Sequence, residues 1–432
     1  DWSSDVCSSD LRAGTSSPGL ARKRTAQVDQ STFDISGSYS GIASHFNYNV
    51  SVGYNYQIQD FYNLQEEARG FDNDQEVRNF FDTNYDSNAG LNLQSERDPS
   101  ETISNFYLKG GLDKVGSYSI DIAIHAQTGT LLENDKKTDV FPSVKGRMPL
   151  DFLFDDEKDQ DLTVSLGYGT SGSLPTEFGV SNNFYVGGNT VNFASNPDLE
   201  IEKTSEINFA IDFSINRLTS SLVLYQRNVS DLISERNVDV SFYGVPTRFE
   251  NFGSLNTRGI EVYLKYDFIK TNKTAFSSSL ILSSYKTTID DIGINQLMTG
   301  SPGSPGHNST NVIRITEGEE LGMFWGPVYS GQVDANGVPI MSDLNDDGIL
   351  QSSQTFALAE NSDFQELGNA NPDLELGWFN HLNVGNLNLN FLIQGAFGHS
   401  LVNTNRLFYE PRDDRQNSYN NVNSEFAEDQ LE

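Results

Sequence analysis

The chain has 432 residues, with 28 Lys and Arg against 60 Asp and Glu, so its formal net charge is −32. That balance argues against nucleic acid as a partner, because phosphate binding needs a basic surface. No apolar run of about 18 residues is present, which excludes a transmembrane helix but not a transmembrane β-barrel, whose strands alternate. Hydrophobic residues are only 36% of the chain while aromatics reach 11%, a composition typical of strands with one wet face.

The first residues differ from the rest of the chain. Residues 1–11 (DWSSDVCSSDL) show no periodicity, resemble a translated sequencing adapter, and contain the only cysteine, Cys7, which excludes a disulfide framework. Residues 12–25 are basic and rich in turn formers. We therefore interpret residues 1–25 as a tail that is non-native or disordered, and residues 26–432 as one partial barrel domain.

From about residue 30 the chain repeats a unit of strand, turn and strand. Strict alternation of apolar and polar residues predicts strands at 117–124, 161–168, 205–213, 260–268 and 386–393. Further strands are expected near 47–58, 103–112, 218–227, 232–240, 274–285 and 374–384. About a dozen strands at this spacing indicate an all-β fold, either a sandwich or a barrel.

The connections between these strands are uneven in length. Residues 112–117 and 215–217 predict tight turns, whereas 60–100, 170–200 and 290–370 are expected to be long loops. A compact soluble domain rarely carries several loops beyond about 15 residues. Alternating tight turns and long loops are typical of antiparallel outer-membrane barrels.

The stretch IEVYLKYDF, residues 260–268, shows the alternation most clearly. Ile260, Val262, Leu264, Tyr266 and Phe268 fall on one strand face, and the residues between them fall on the other. In a barrel the first set faces lipid, while Glu261, Lys265 and Asp267 face a wet lumen.

One acidic loop, DLNDDGILQSSQ, has the spacing of a calcium site. Asp343, Asn345 and Asp347 occupy positions 1, 3 and 5, and Gly348 occupies position 6. Position 12 is Gln354 instead of Glu, and no helix pattern flanks the loop, so an EF-hand is excluded. Two readings stay open: a one-sided calcium site, or a surface turn whose Asx side chains bond their own backbone.

No sequence pattern indicates catalysis or a required cofactor. There is no GxSxG, HExxH or Walker loop, and the five histidines are scattered without metal-ligand spacing. We therefore expect the protein not to be an enzyme. Phe324, Trp325 and Tyr329 lie in a long loop, where aromatic rings either stack on sugars or pack the loop.

Several segments follow one another in a characteristic order. They are VFPSVKGRMPL, DLTVSLGYGTSGS, NPDLEIEKTSEINFAIDF, NFGSLNTRGIEVYLKYDF, EGEELGMFWGPVYSG, DLNDDGILQ, LGNANPDLELGWFNHLNV and GAFGHSLVNTNR. Taken together, they resemble the SusC/RagA-type TonB-dependent outer-membrane transporters of Bacteroidetes. The resemblance covers residues 140–406, and residues 30–140 fit by architecture alone. The plug domain and the final strands of such proteins are not found in this sequence.

The resemblance implies about half of a roughly 22-stranded transmembrane β-barrel in the outer membrane of a Gram-negative cell. It also implies active import of oligosaccharides or peptides, a SusD-like surface lipoprotein as lid, and energy from the TonB complex through the plug. The substrate-binding residues are not identified by it. The alternative from the residues alone is a soluble secreted β-sandwich or adhesin that binds glycan or calcium and buries the same apolar faces in a core.

Overall fold

The computed structural model describes most of the chain. The described residues are 3–8, 19–71, 90–97, 101–114, 117–129, 138–154, 160–174, 194, 196–271, 273–294, 296–301, 311–335, 339–351, 357–359 and 362–403.

The dominant element is one antiparallel sheet of 14 strands. Its strands are β1 (Ser3–Ser8), β2 (Gly19–Ala43), β3 (Phe46–Phe71), β4 (Gly90–Arg97), β5 (Glu101–Lys114), β6 (Tyr118–Gly129), β7 (Asp139–Pro149), β8 (Gln160–Ser173), β9 (Glu202–Ile215), β10 (Leu218–Ser230), β13 (Ser254–Lys270), β14 (Thr274–Asp291), β21 (Leu374–Val384) and β22 (Leu387–Phe397). We call this sheet the wall. Its order follows the chain, with β4 set beside β3, and within the described residues β1 and β22 end it as open edges.

Three small sheets lie outside the wall. The hairpin β11 (Ile233–Asn237) and β12 (Thr247–Asn251) carries a short helix, α1 (Val240–Tyr243), at its tip. A second sheet joins β15 (Gln296–Thr299), β16 (Ile313–Thr316), β17 (Met323–Pro327) and β20 (Phe364–Asn369), and a third pairs β18 (Tyr329–Val333) with β19 (Pro339–Met341). We call the segment from Ile292 to Asp373, between β14 and β21, the loop layer. A 3-10 turn, Asp151–Leu153, lies between β7 and β8.

Short and long connections are segregated to opposite ends of the wall. Neighbouring strands run antiparallel, so the connections after β2, β5, β7, β9, β13 and β21 all lie at one end. Each has two or three residues except the one after β7, which has ten. Asn216 adopts φ 52° in the two-residue turn between β9 and β10. The longest connections, after β8, β10 and β14, leave the opposite end. The predicted alternation of tight turns and long loops is therefore confirmed.

Three predicted loops contain more strand than expected. β3 continues to Phe71 and β4 follows within the predicted loop 60–100, β8 runs to Ser173 inside 170–200, and six short strands lie within 290–370. The loop predictions were wrong there because strands that lie outside an apolar layer can be polar on both faces. Their sequences then show no alternation of apolar and polar residues. Conversely, the predicted strand 232–240 is only β11, which pairs with β12 and not with the wall.

Parts of the predicted tail are strands. β1 lies within residues 1–11, and β2 begins at Gly19 and pairs with both β1 and β3. Whether residues 1–25 are native stays a prediction.

The wall has one apolar and one polar face. Cross-strand partners share a face, and one row of partners is apolar on seven consecutive strands: Met148, Val164, Ile211, Leu222, Val262, Leu282 and Leu376. The next row toward the long-loop end continues it with Leu166, Phe209, Leu224 and Ile260. The predicted division of 260–268 between two faces is confirmed as a division of the sheet.

Aromatic rings gather on the apolar face near the short-turn end. The ring pairs are Tyr39–Tyr48 (6.0 Å between centroids), Phe46–Tyr118 (6.5 Å), Phe154–Phe213 (6.3 Å), Tyr266–Phe268 (4.8 Å) and Phe268–Phe276 (5.3 Å). Such a belt marks the level of a membrane–water interface in barrels.

The described residues do not form a sandwich. The second sheet that a sandwich needs over its apolar face is not among them: Leu166 keeps 55% and Ile207 49% of their surface exposed. The soluble sandwich alternative is therefore not supported. None of the helices in the described ranges is long and apolar enough to cross a membrane.

Candidate functional site

The polar face of the wall is the larger candidate for a functional surface. One row of cross-strand partners on it runs Ser143, Gly169, Glu206, Arg227, Thr257 and Thr287. Arg227 donates from Nε and Nη2 to one oxygen of Glu206, at 2.9 and 2.7 Å. Charged and hydroxyl groups of this kind can bind a hydrophilic solute that passes along the face.

A hydrogen-bonded ladder crosses four strands of the same face. Asn55 donates to Asp34 (2.6 Å), and Asn105 donates to Asn55 (3.2 Å). A ring nitrogen of His125 lies 3.2 Å from the side-chain oxygen of Asn105. The ladder fixes side-chain amides that would otherwise be mobile, and it holds them at the wet surface of β2, β3, β5 and β6.

Two tyrosines on the polar face lie flat over glycines of the neighbouring strand. An added Cβ at Gly259 would overlap the ring of Tyr225, and one at Gly53 would overlap the ring of Tyr107. Each ring covers backbone that the glycine leaves bare, an arrangement that pins the register of a glycine-containing strand. The glycine is required because any larger residue would displace the ring.

A clamp joins the hairpin β11–β12 to the long-loop end of the wall. Arg248 donates to the buried side chain of Asn196 (2.7 Å), which itself donates to the carbonyl of Phe249 (2.8 Å). Asn251 bonds both the N–H and the carbonyl of Glu200. The Asn-Pro-x-Leu segment, residues 196–199, carries part of the family resemblance, and it is part of this clamp.

A small apolar core underlies this clamp. Phe141, Leu199 and Ile201 are buried, and Leu174, Ile233 and Phe249 pack against them. Phe141 belongs to β7, so the core fastens the hairpin to the wall.

The tip of the hairpin is rigid yet apolar. Asp239 caps α1 by accepting from the backbone N–H of Ser241 (2.9 Å), and Gly244 ends it with φ 76°. Hydrogen bonds from the hydroxyl and then the backbone of Ser241 lower the pKa of Asp239. Phe242 at this tip keeps 81% of its surface exposed.

Trp325, one of the three loop aromatics, packs against a neighbouring side chain on one face of its ring. The Arg314 guanidinium lies 3.5 Å from the ring centre of Trp325, and the indole N–H donates to the carbonyl of Ala357 (2.9 Å). Of the two readings of the loop aromatics, packing fits Trp325 better than an open sugar platform.

The predicted calcium ligands do come together. Asp343 accepts from the backbone N–H groups of Asp347 (3.3 Å) and Gly348 (2.8 Å), and Asn345 accepts from that of Asp347 (3.0 Å). Asp347 accepts from the backbone of Ile349 (2.7 Å) and from the amide of Asn345 (3.1 Å). These bonds match the Asx-turn reading, and they leave lone pairs on each carboxylate.

Two residues at this loop were missed from the sequence. Asp363 is 0% exposed and accepts from the backbone N–H groups of Leu344 (2.8 Å) and Gln351 (2.5 Å). Gln351 is itself buried, and its amide nitrogen lies 3.4 Å from Asp347. Nothing in the pattern of residues 343–348 points to Asp363, because it approaches from the far side of the loop.

Gln354, the residue at position 12, lies outside the described residues. Among the residues that are described, no three His, Cys, Asp or Glu side chains group to hold a metal. Of the three loop carboxylates, only Asp343 and Asp347 are at predicted ligand positions, and Asp346 lies between Asn345 and Asp347 in the sequence.

Comparisons with known proteins agree on one family. The family model described as TonB dependent receptor-like, beta-barrel matches residues 2–347. TonB-dependent receptor P26 of Formosa agariphila is 24% identical over 363 residues, covering 73% of this chain and 35% of that protein. TonB-dependent receptor P3 of the same organism is 22% identical over 255 residues, covering 55% of this chain and 24% of that protein.

Solved structures show the same fold. The RagAB peptide transporter aligns with a TM-score of 0.68 and 18% identity, covering 88% of this chain and 42% of that one. The RagAB peptide importer in its open-open state aligns with a TM-score of 0.69 and 17% identity, covering 92% and 43%. The chain therefore spans less than half the length of each of these relatives and structures. The wall with its two faces and the match over residues 2–347 lead to one conclusion: the chain belongs to the TonB dependent receptor-like, beta-barrel family.

Proposed function

We propose that the wall is part of an outer-membrane importer of a Gram-negative bacterium that takes up oligosaccharides or peptides. The observation that carries the proposal is the apolar row across seven strands, opposite a face that carries Arg227, Glu206 and the Asp34–His125 ladder. Lipid covers the first face, and the second lines an aqueous lumen.

The remainder of the importer comes from partners and from sequence beyond this chain. Active import needs TonB and a plug, and a SusD-like lipoprotein closes the long-loop end. The likeness to RagAB supports the fold of such an assembly. The exposed tip at Phe242 lies at the long-loop end, where such a lid would dock.

Spin labelling tests the assignment of the two faces. Val262→Cys and Glu261→Cys, each labelled with a nitroxide in the complete receptor in liposomes, sample adjacent positions on opposite faces. We expect Val262→Cys to be relaxed by dissolved oxygen and shielded from a water-soluble nickel chelate, and Glu261→Cys to show the reverse. Equal nickel accessibility at both positions would overturn the lipid-facing assignment.

Growth tests the import function. Deleting the gene should abolish growth on one class of polymer, glycan or peptide, and leave growth on its monomers unchanged. Complementation should fail when the TonB-contacting segment of the complete receptor is removed. Unimpaired growth of the deletion strain on every glycan and peptide tested, together with confirmed lipid facing, would reject import while keeping the barrel.

A further inference from the structure

We propose that the loop 343–351 binds a calcium ion. The ligands are carboxylate oxygens of Asp343 and Asp347, the amide oxygen of Asn345, the backbone carbonyl of Ile349 and the amide oxygen of Gln351. Ca²⁺ accepts six to eight such oxygens in flexible geometry. The first three side chains already converge through the bonds that Asp347 makes with Asn345 and Asp343.

Gln351 gives an independent reason to place a cation here. Its side chain is buried, at 7% exposure, and its Oε1 has no hydrogen-bond partner among the residues that the structure describes. Its Nε2 lies 3.4 Å from an oxygen of Asp347, so the amide is directed at the loop carboxylates. A half-turn of the amide exchanges the two atoms and brings Oε1 to Asp347. Two oxygens repel at that distance unless a cation lies between them, so in this orientation a cation is the partner of Oε1, and Nε2 takes the position that Oε1 leaves.

The charge beneath the loop gives a second reason. Asp363 is fully buried, and within the described residues it forms no ion pair with Lys, Arg or His. Asp343 and Asp347 bring two more negative charges to the same loop. Buried charges in proteins are paired or coordinate metals. A divalent cation bound above Asp363 supplies the counter-charge that this part of the chain does not.

The ligand set favours calcium at low affinity. Only two of the ligands are charged, and weak sites of this kind bind calcium with dissociation constants of about 10⁻⁴–10⁻³ M. Mg²⁺ demands a compact octahedron and retains its waters, so it fits an adaptable loop of amide and carbonyl oxygens poorly. The site is therefore filled only in a calcium-rich exterior.

Binding would fasten the loop to the sheet that contains Trp325. Asp363 immediately precedes β20, whose Phe364 is buried and pairs with Pro327 of β17. A cation that holds Asp347 and Gln351 in place also fixes the backbone N–H that Asp363 accepts. Calcium binding should therefore order the segment that leads into β20.

Calorimetry on the complete receptor in detergent tests the proposal, with CaCl2 and MgCl2 as titrants. We expect one saturable calcium site at about 0.1–1 mM. Asp347→Asn keeps the turn acceptors and removes one charged ligand, and Gln351→Leu keeps the volume and removes the amide oxygen. Each should weaken calcium binding about tenfold or more, while Gln351→Glu, which adds a charged ligand, should tighten it.

Asp346→Asn is the matched control, because it removes the same charge from the same loop at a position that is not a ligand. Its calcium affinity should equal that of the parent. Absence of a saturable heat up to 10 mM calcium, or equal weakening by Asp346→Asn and Asp347→Asn, would overturn the proposal. In the first case the loop is an Asx turn alone, and in the second it only attracts cations by its net charge.

Discussion

The wall and the loop layer treat apolar side chains in opposite ways. In the wall, whole rows of Ile, Leu, Val and Phe remain at the surface, as Leu166 and Ile207 show. In the loop layer and at the adjoining end of β14, Ile289, Ile292, Met323, Ala357 and Phe364 are buried and form a core, although Ile349, Leu350 and Leu367 stay exposed.

Under the proposed function, this difference means that the two regions meet different solvents. Burial of apolar surface is the main stabilising term in folding, and the loop layer obtains it within the protein. The wall can obtain it only from an external apolar phase, which in this family is the lipid of the outer membrane. Stability of the wall should therefore depend on lipid, and that of the loop layer on its own hydrogen bonds and small core.

The largest expected effect concerns the faces of the wall. Val262→Arg should cost about 2–4 kcal/mol of folding free energy in liposomes if residue 262 lies near the bilayer midplane. Val223→Arg is the same substitution on the adjacent strand but on the polar face, beside Glu261. It should cost much less. Equilibrium unfolding of the complete receptor from liposomes measures both, and equal costs would end the distinction between the two faces.

The next prediction concerns the clamp that holds the hairpin β11–β12 at the long-loop end of the wall. Asn196→Ala leaves Arg248 and the carbonyl of Phe249 without their buried partner, which should cost about 1–3 kcal/mol in local stability. Hydrogen exchange at β11 and β12 should accelerate accordingly. Arg236→Ala, which removes a partly exposed ion pair with Glu250 and a contact with the ring of Phe252, is the control and should change exchange by less than about 1 kcal/mol. The reverse order would show that the clamp is not what holds the hairpin.

Substitution of Gly259, on the polar face of the wall, should lower the stability by a similar or smaller amount. Gly259→Ala must displace the ring of Tyr225 and should cost about 1–3 kcal/mol, as overpacking does. Gly169→Ala, on the same face, would meet only Ser143 Cβ at 3.4 Å and should be close to neutral. Urea unfolding of the two variants in liposomes separates them. A neutral Gly259→Ala would mean that the ring does not fix the register there.

The smallest effect is a pH dependence at the exposed tip. Because its hydrogen bonds with Ser241 lower the pKa of Asp239, the stabilising cap is fully present above the unfolded pKa of about 3.9 and is lost as the pH falls through the folded pKa. Exchange of the Ser241 amide should quicken in acid beyond its intrinsic dependence. Asp239→Asn should remove the excess pH dependence. If the excess pH dependence persisted in this variant, it would have to come from another titrating group.

The wall was predictable from sequence because lipid imposes a strict period of two. The strands 117–124 and 205–213 lie where their alternation placed them, and the further strand expected near 374–384 agrees with β21 at both ends. The ends of β2, β3 and β4 were not found, because strands outside an apolar layer need no alternation. β15–β20 were missed for a related reason: strands of three to six residues are too short to show a period.

The candidate sites were predictable only where they are local in sequence. Asp343, Asn345 and Asp347 were found because alternate residues in one turn converge. Asp363 and the clamp between Asn196 and Arg248 were not, since their partners are distant along the chain. The ladder from Asp34 to His125 depends on the register of four strands, which no single-strand pattern specifies.

The direct pairing of β14 with β21 has a consequence for how such proteins diversify. The two strands meet from Thr274–Val384 to Ser283–Glu375, and the register of the wall is complete without the loop layer that the chain inserts between them. Insertions, deletions and wholesale exchange of residues 292–373 can therefore accumulate without shifting a single strand pair below them. The loop layer therefore behaves as a replaceable segment on a continuous sheet, and its sequence can change without changing the strand pairs of the wall.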